Sequence, residues 1–342
     1  VRQSGLGYER HGQMSGKRDE APPQGGVEGG GIRISGVLRR VDPAGPALPL
    51  VFDSPHSGSL YPADFGAAAP PRLLRLTEDF AVDRLFAAAP GLGATLITAE
   101  FPRCYIDPNR PLSDIDPLLL AEPWPGALPA AGRSADGVGL LWRLIGPAQP
   151  IYARQLSLAE VRRRLERYYQ PYHRELAETL DRMHEDFGAV WHVNCHSMPS
   201  QGPQGSQGSQ PSLGPGPSQG SQPSQGSQPS QGSQPRGMAA GLPDFVIGDR
   251  DGTSATPLFR DLVVETLRGM GYRVAVNAPY KGDELIRRHG DPGRGRQSLQ
   301  IEINRGLYMD ETRIEPNAGF APLKRALDRM IAAVAAHVQA QL

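Results

Sequence analysis

Two histidines stand directly after short apolar runs that read as strands. His56 follows the run 48–53 within Ser54-Pro55-His56-Ser57-Gly58, and His196 follows 189–195 within His196-Ser197-Met198-Pro199. Glu302 lies near the end of a third run, 298–304. Ligands of open α/β sheets bind at the carboxyl ends of strands. Two imidazoles and a carboxylate on that edge are the ingredients of a hydrolytic zinc site. The two histidines are far apart in sequence, unlike the ligands of a zinc finger, and spacing alone does not prove that they meet.

Other reactive side chains read more plainly. A histidine after a strand is more often a packing or hydrogen-bonding residue than a ligand, and His192, inside its strand, reads as structural. His11, His173, His184 and His337 fall on helices or tails, while His289 precedes Gly290 in a polar loop that could line a site. Cys195 neighbours His196, but adjacent strand residues point to opposite faces and a buried thiol is inert. The Gly-rich stretch 290–295 does not link a strand to a helix, so phosphate binding is unsupported. In the segment from Arg103 to Arg110, an arginine fork suits a carboxylate and Asn109 adds a neutral donor. The residues alone favour an ordinary surface turn made by Asp-Pro-Asn.

These groups need a frame. The runs 48–53, 94–100, 189–195, 244–249, 272–277 and 298–304 read as strands from their β-branched and apolar content. Helices are expected over 79–89, 158–187, 257–270 and 321–341. In the longest, Leu158, Val161, Leu165, Tyr168, Tyr172, Leu176, Leu180, Met183 and Phe187 form one apolar stripe. Ser157 and Glu160 suggest a capping box, Gly188 a stop, and Pro171 a kink or division. Strands alternating with helices imply an α/β fold: a single domain with a mixed, mostly parallel sheet and helices on both faces.

Two segments fall outside that frame. Residues 1–35 are polar and Gly-rich and read as a disordered tail. Residues 200–236 are nearly all Gln, Gly, Ser and Pro; Ser-Gln-Gly-Ser-Gln-Pro occurs at 206–211 and three more times between Ser218 and Pro235. With no apolar position to stack, the repeat reads as a flexible surface insertion interrupting the one domain 36–342.

Composition narrows the partners. The 36 basic and 36 acidic residues cancel, which argues against a charge-driven nucleic-acid or membrane partner. No apolar run approaches the roughly 18 residues that span a bilayer. The polar N-terminal stretch lacks the apolar core of a secretory signal. Two cysteines make no disulfide framework, so a cytoplasmic location is expected. A small-molecule substrate remains, with the oligomeric state left open.

Taken together, the motifs resemble one family. SPHSG at 54–58, Asp79 and Asp83, RCYIDPNR at 103–110, NCHSMPS at 194–200, PDFVIGDRDG at 243–252, NAPYKGD at 277–283 and QIEINRGLYMDE at 300–311 run in the order found in N-formylglutamate amidohydrolases. That family is similar in fold to zinc carboxypeptidases and aspartoacylase. The resemblance implies one catalytic Zn2+ with His56 and His196 as ligands. The carboxypeptidases place a glutamate three residues after the first histidine, where this chain has Ser59; the corresponding acidic ligand is Asp79, with Glu78 as the neighbouring alternative. Asn109 and Arg110 match the substrate-carboxylate pair, which overturns the surface-turn reading. Glu302 matches the general base, Arg103 would face the oxyanion, and Tyr280 with Gly282 would meet the far end of the substrate. The implied reaction converts N-formylglutamate to formate and glutamate, a late step of histidine breakdown. The same chemistry on another N-acyl amino acid or small peptide is the near alternative, and a non-catalytic binding module on this scaffold is the distant one.

Overall fold

The computed structural model describes residues 25–28, 30–126, 128, 132–146, 148–201 and 242–342. Its main sheet contains β1 (Gly25–Glu28), β2 (Gly31–Ile34), β3 (Leu38–Val41), β4 (Leu50–Ser54), β5 (Thr95–Ala99), β6 (Val190–Met198), β7 (Phe245–Gly248), β8 (Val274–Val276) and β9 (Arg296–Asn304). The spatial order is β1-β2-β3-β5-β4-β6-β9-β7-β8. The four central strands β5, β4, β6 and β9 run parallel. β3 joins β5 antiparallel on one flank, and β7 joins β9 antiparallel on the other.

The central strands are apolar on both faces because helices cover both. On one face, Phe52, Val193, Cys195, Leu299 and Ile301 pack with helices Pro257–Gly269 and Phe320–Gln339. On the other, Val51, Ile97 and Val190 pack with Leu176 and Leu180 of the long helix. That second face also carries a file of buried polar residues, since alternate residues of a strand share a face. His192, Asn194 and His196 of β6 lie beside Asp53 of β4 and Ser298 and Glu302 of β9.

Three expectations change. The helix expected at 158–187 runs as Leu158–Arg164, a wider π-turn Leu165–Tyr169, and Gln170–Phe187. The wider turn comes just before Pro171, which has no N–H to continue the ladder, so the helix is neither broken nor ended there. Its capping box at Ser157 and Glu160 is present, and Gly188 closes it in the left-handed conformation. Within the tail expected over 1–35, Gly25–Glu28 and Gly31–Ile34 pair as β1 and β2 and β2 pairs with β3, while residues 1–24 lie outside the described residues. Backbone pairing at a sheet edge needs little side-chain patterning, which is why this Gly-rich stretch hid it. The helix expected at 79–89 is reduced to the single turn Val82–Leu85, for a reason that belongs to the site. The repeat insertion, apart from Ser200 and Gln201, lies outside the described residues.

Candidate metal centre and active site

β4 ends at Ser54 and the chain turns at once, leaving His56 over the end of the sheet. Gly58 is required in that turn: a Cβ there would lie 2.1 Å from the Phe101 carbonyl oxygen. The chain then makes an excursion and returns where the Asp79 N–H donates to the His56 carbonyl at 2.9 Å. This closure fixes Asp79 outside any helix. Ala81 takes the left-handed conformation at φ 55°, so the helix begins only after it. On β6 and β9, the parallel register sets Glu302 directly beside His196.

These elements bring His56, Asp79 and His196 together, with one nitrogen or oxygen from each within 4.8 Å of the others. Asp79 Oδ2 lies 3.4 Å from His56 Nδ1 and 3.0 Å from His196 Nδ1. The donors of a tetrahedral zinc site with bonds of about 2.0–2.1 Å lie about 3.3 Å apart. The proton pattern fits too. His56 donates from Nε2 to Asp107 Oδ1 at 2.7 Å, and its Nδ1 is buried without a hydrogen-bond partner. A carboxylate accepting the outer N–H of a ligating imidazole is the usual way to fix tautomer and ring orientation. Glu78, the alternative ligand, takes a hydrogen bond from Tyr61 at 2.7 Å and is not in the cluster.

The charges around this centre are graded. Burial alone would raise the Asp79 carboxyl; the imidazoles of His196 and His56 and the Arg103 guanidinium outweigh it and hold it well below the usual carboxylate range. Burial pushes His196 down to about 4, which keeps the ring neutral as a ligand must be. Glu302 goes the other way, raised to about 8 by burial and then by the Asp79 charge. Two carboxylates in one pocket with opposite shifts divide the labour: Asp79 stays a fixed anion and Glu302 can exchange a proton near neutrality.

The other expected residues separate into those that face the centre and those that support it. Arg103 commits Nε and Nη2 to Asp107 Oδ2 and lies over the Trp142 ring, leaving Nη1 3.7 Å from Asp79 Oδ1. Arg110 bonds Asp283 Oδ2 at 2.6 Å and its neighbour's carbonyl at 2.9 Å. Burial, then the Glu302 charge, raise the Tyr280 hydroxyl above its ordinary value, so it lies within electrostatic reach of the centre. Gly282 contributes backbone only: at φ 100° a Cβ would lie 2.0 Å from Ile286 Cδ1. Asn109 Oδ1 accepts the Leu285 N–H at 2.9 Å and its Nδ2 lies 3.1 Å from His196 Nε2, which sets the buried amide beside the centre.

Two residues without an expected role complete the arrangement. Arg305 donates to Asp79 Oδ1 at 3.0 Å, to the Glu78 carbonyl at 2.7 Å and to Ser197 Oγ at 3.1 Å. Asp107 joins His56, Arg103 and the Asn109 N–H. Both lie inside quoted motifs, but only the fold reveals what buried charges pair with.

The chain is similar to known proteins. The family model "N-formylglutamate amidohydrolase" matches residues 48–230 and 221–309. The crystal structure of N-formylglutamate amidohydrolase from Ralstonia eutropha JMP134 superposes with a TM-score of 0.77 at 44% identity, covering 90% of this chain and 100% of that one. The curated N-formylglutamate deformylase of Pseudomonas putida is 29% identical over 276 residues, 78% of this chain and 83% of the relative. Its counterpart from Pseudomonas aeruginosa is 29% identical over 270 residues, 77% of this chain and 83% of the relative.

Proposed function

Since the chain belongs to the N-formylglutamate amidohydrolase family, we propose that this amide hydrolase converts N-formylglutamate to formate and glutamate with one Zn2+ held by His56, Asp79 and His196. The observation that carries the reading is the meeting of two imidazole Nδ1 atoms and one carboxylate oxygen, one of those nitrogens otherwise unpartnered. A bound zinc ion supplies Lewis acidity, polarising the amide carbonyl and acidifying water.

The chain's own groups do the rest. Glu302, set directly beside His196 by the parallel register, takes the proton of the attacking water and passes it to the leaving nitrogen. Arg103 Nη1, free of the Asp107 bonds, stabilises charge on the carbonyl oxygen. Arg110 holds the α-carboxylate and so sets the scissile amide over the centre. Tyr280 and the backbone at Gly282 border the far end of the substrate. Cys104 and Cys195 are free and buried, in keeping with the cytoplasmic step of histidine breakdown that we assign to the enzyme.

Formate release from N-formyl, N-acetyl and N-succinyl amino acids tests substrate choice, with N-formylglutamate expected to lead. Equal turnover across the panel would leave an amidohydrolase of broader range. Protein purified without chelator is expected to carry zinc; lack of zinc, with no activity on adding it, would favour a binding module.

A further inference from the structure

Behind His196 lies a buried chain of polar side chains that the reaction does not touch. Asp53 accepts three hydrogen bonds: from Tyr172 Oη to Oδ2 at 2.7 Å, and from His192 Nε2 and Asn194 Nδ2 to Oδ1, each at 2.8 Å. His192 Nδ1 lies 2.7 Å from Ser298 Oγ. Asn194 Oδ1 lies 2.5 Å from His196 Nε2. All six side chains are at most 2% exposed. The order Ser298–His192–Asp53 matches a nucleophilic triad, but Ser298 is fully buried, so no substrate reaches it.

The directions of these bonds follow from the Asp53 carboxylate and from the shortest contact of His196. An ionised carboxylate only accepts, so Asn194 must turn its NH2 to Asp53 and its oxygen to His196. Oxygen and a bare nitrogen do not approach to 2.5 Å, so His196 carries its proton on Nε2 and donates it to Asn194. Asn109 Nδ2, also near that nitrogen, sends its hydrogens to Asn194 Oδ1 at 3.5 Å and Gln300 Oε1 at 3.4 Å. Nδ1 of His196 also lies 3.0 Å from Asp79 Oδ2, and the shorter contact, at Nε2, decides where the proton sits; Nδ1 is then bare and faces the Asp79 carboxylate as two ligands face a shared cation.

We propose that Asp53 is a positioning residue: through the Asn194 amide it fixes the Nε2–H tautomer of His196 and so presents Nδ1 to the metal. The inference rests on His196 being a ligand, as proposed above. Tyr172 and His192 brace Asp53 so that the amide has one orientation. In Asp53→Asn the acceptor is lost, the Asn194 amide can flip, and its NH2 would then favour a bare Nε2.

The test reads the tautomer of His196 in metal-free protein by long-range 15N–1H correlation, and Zn2+ affinity by chelator competition. Wild type is expected to show Nε2–H. Asp53→Asn is expected to populate Nδ1–H and to bind Zn2+ ten- to a hundredfold more weakly, the usual range for loss of an outer partner. An Nδ1–H tautomer in wild type would overturn the proposal even if the variant fails to fold. So would an Asp53→Asn protein with unchanged tautomer. If wild type shows the expected tautomer and the variant shifts it, yet neither binds Zn2+, the relay stands and the zinc reading is what fails.

Discussion

Arg110 already holds a carboxylate: its Nη1 donates to Asp283 Oδ2 at 2.6 Å. The arginine side chain is 9% exposed and that of Asp283 40%, so the aspartate can turn to water while the guanidinium stays. Asp283 thus occupies the partner that a substrate α-carboxylate would claim. Asp283→Asn is expected to lower KM about three- to tenfold with kcat little changed, because a charge-assisted bond of this kind contributes about 1.5–3 kcal/mol, part of which the neutral amide keeps. Steady-state kinetics on N-formylglutamate check this. A raised KM would mean that Asp283 orients Arg110 and does not compete for it.

Glu302→Gln keeps the shape of the side chain and its neighbour Gln300, which donates to Glu302 Oε1 at 2.9 Å. The amide cannot accept the proton of water. Turnover is expected to fall about 10²–10⁴-fold with zinc content unchanged. A variant hydrolysing as fast as the parent would remove Glu302 from the role of base.

Much of this centre was legible from residue types, and the misses share a physical origin. His56, His196 and Glu302 stand at strand ends, where local sequence fixes position. Asp79 required the family motif, since nothing local distinguishes it from Glu78; the structure turns Glu78 to Tyr61. The helix expected from 79 could not survive the hydrogen bond that ties Asp79 to His56, a contact between segments 23 residues apart in number that no periodicity reports. The inward turn of Asn109 depends on the Leu285 N–H, and the clamp of Arg305 on Asp79 spans 226 positions. Sheet-edge strands β1 and β2 escaped because pairing there is a backbone matter. Pattern reads faces and ends of elements; it does not read which buried polar atoms find each other.

Arg305 is the residue whose importance the motifs understated. Its fork satisfies Asp79 and the Glu78 carbonyl from Nη2, with Ser197 on Nε and the Leu76 carbonyl on Nη1. A lysine carries the charge but cannot hold four partners in one plane. Arg305→Lys is therefore expected to loosen Asp79 and weaken Zn2+ binding about ten- to a hundredfold, measured by chelator competition. Equal affinity would show that the Asp79 position is set by the backbone alone.

Acid should unfold the protein partly through His173, which lies outside the metal centre. Burial first, then the Arg288 charge, push it down to about 4 from an ordinary value of about 6.5. Its Nε2 donates to the Pro108 carbonyl at 2.9 Å, so the folded ring is neutral with its proton on that atom. For a depressed histidine the unfolded chain binds the extra proton first, so stability is complete above about pH 6.5 and falls as pH drops toward 4. A separation of that size corresponds to a loss of about 3 kcal/mol across the window. Urea denaturation of metal-free wild type and His173→Asn, at pH 7.0, 5.5 and 4.5, isolates the contribution from any effect of metal release. The variant starts less stable at pH 7.0 but should lose less on acidification, so the two curves approach each other. Parallel curves over that range would show that His173 takes up its proton in the folded protein as easily as in the unfolded chain.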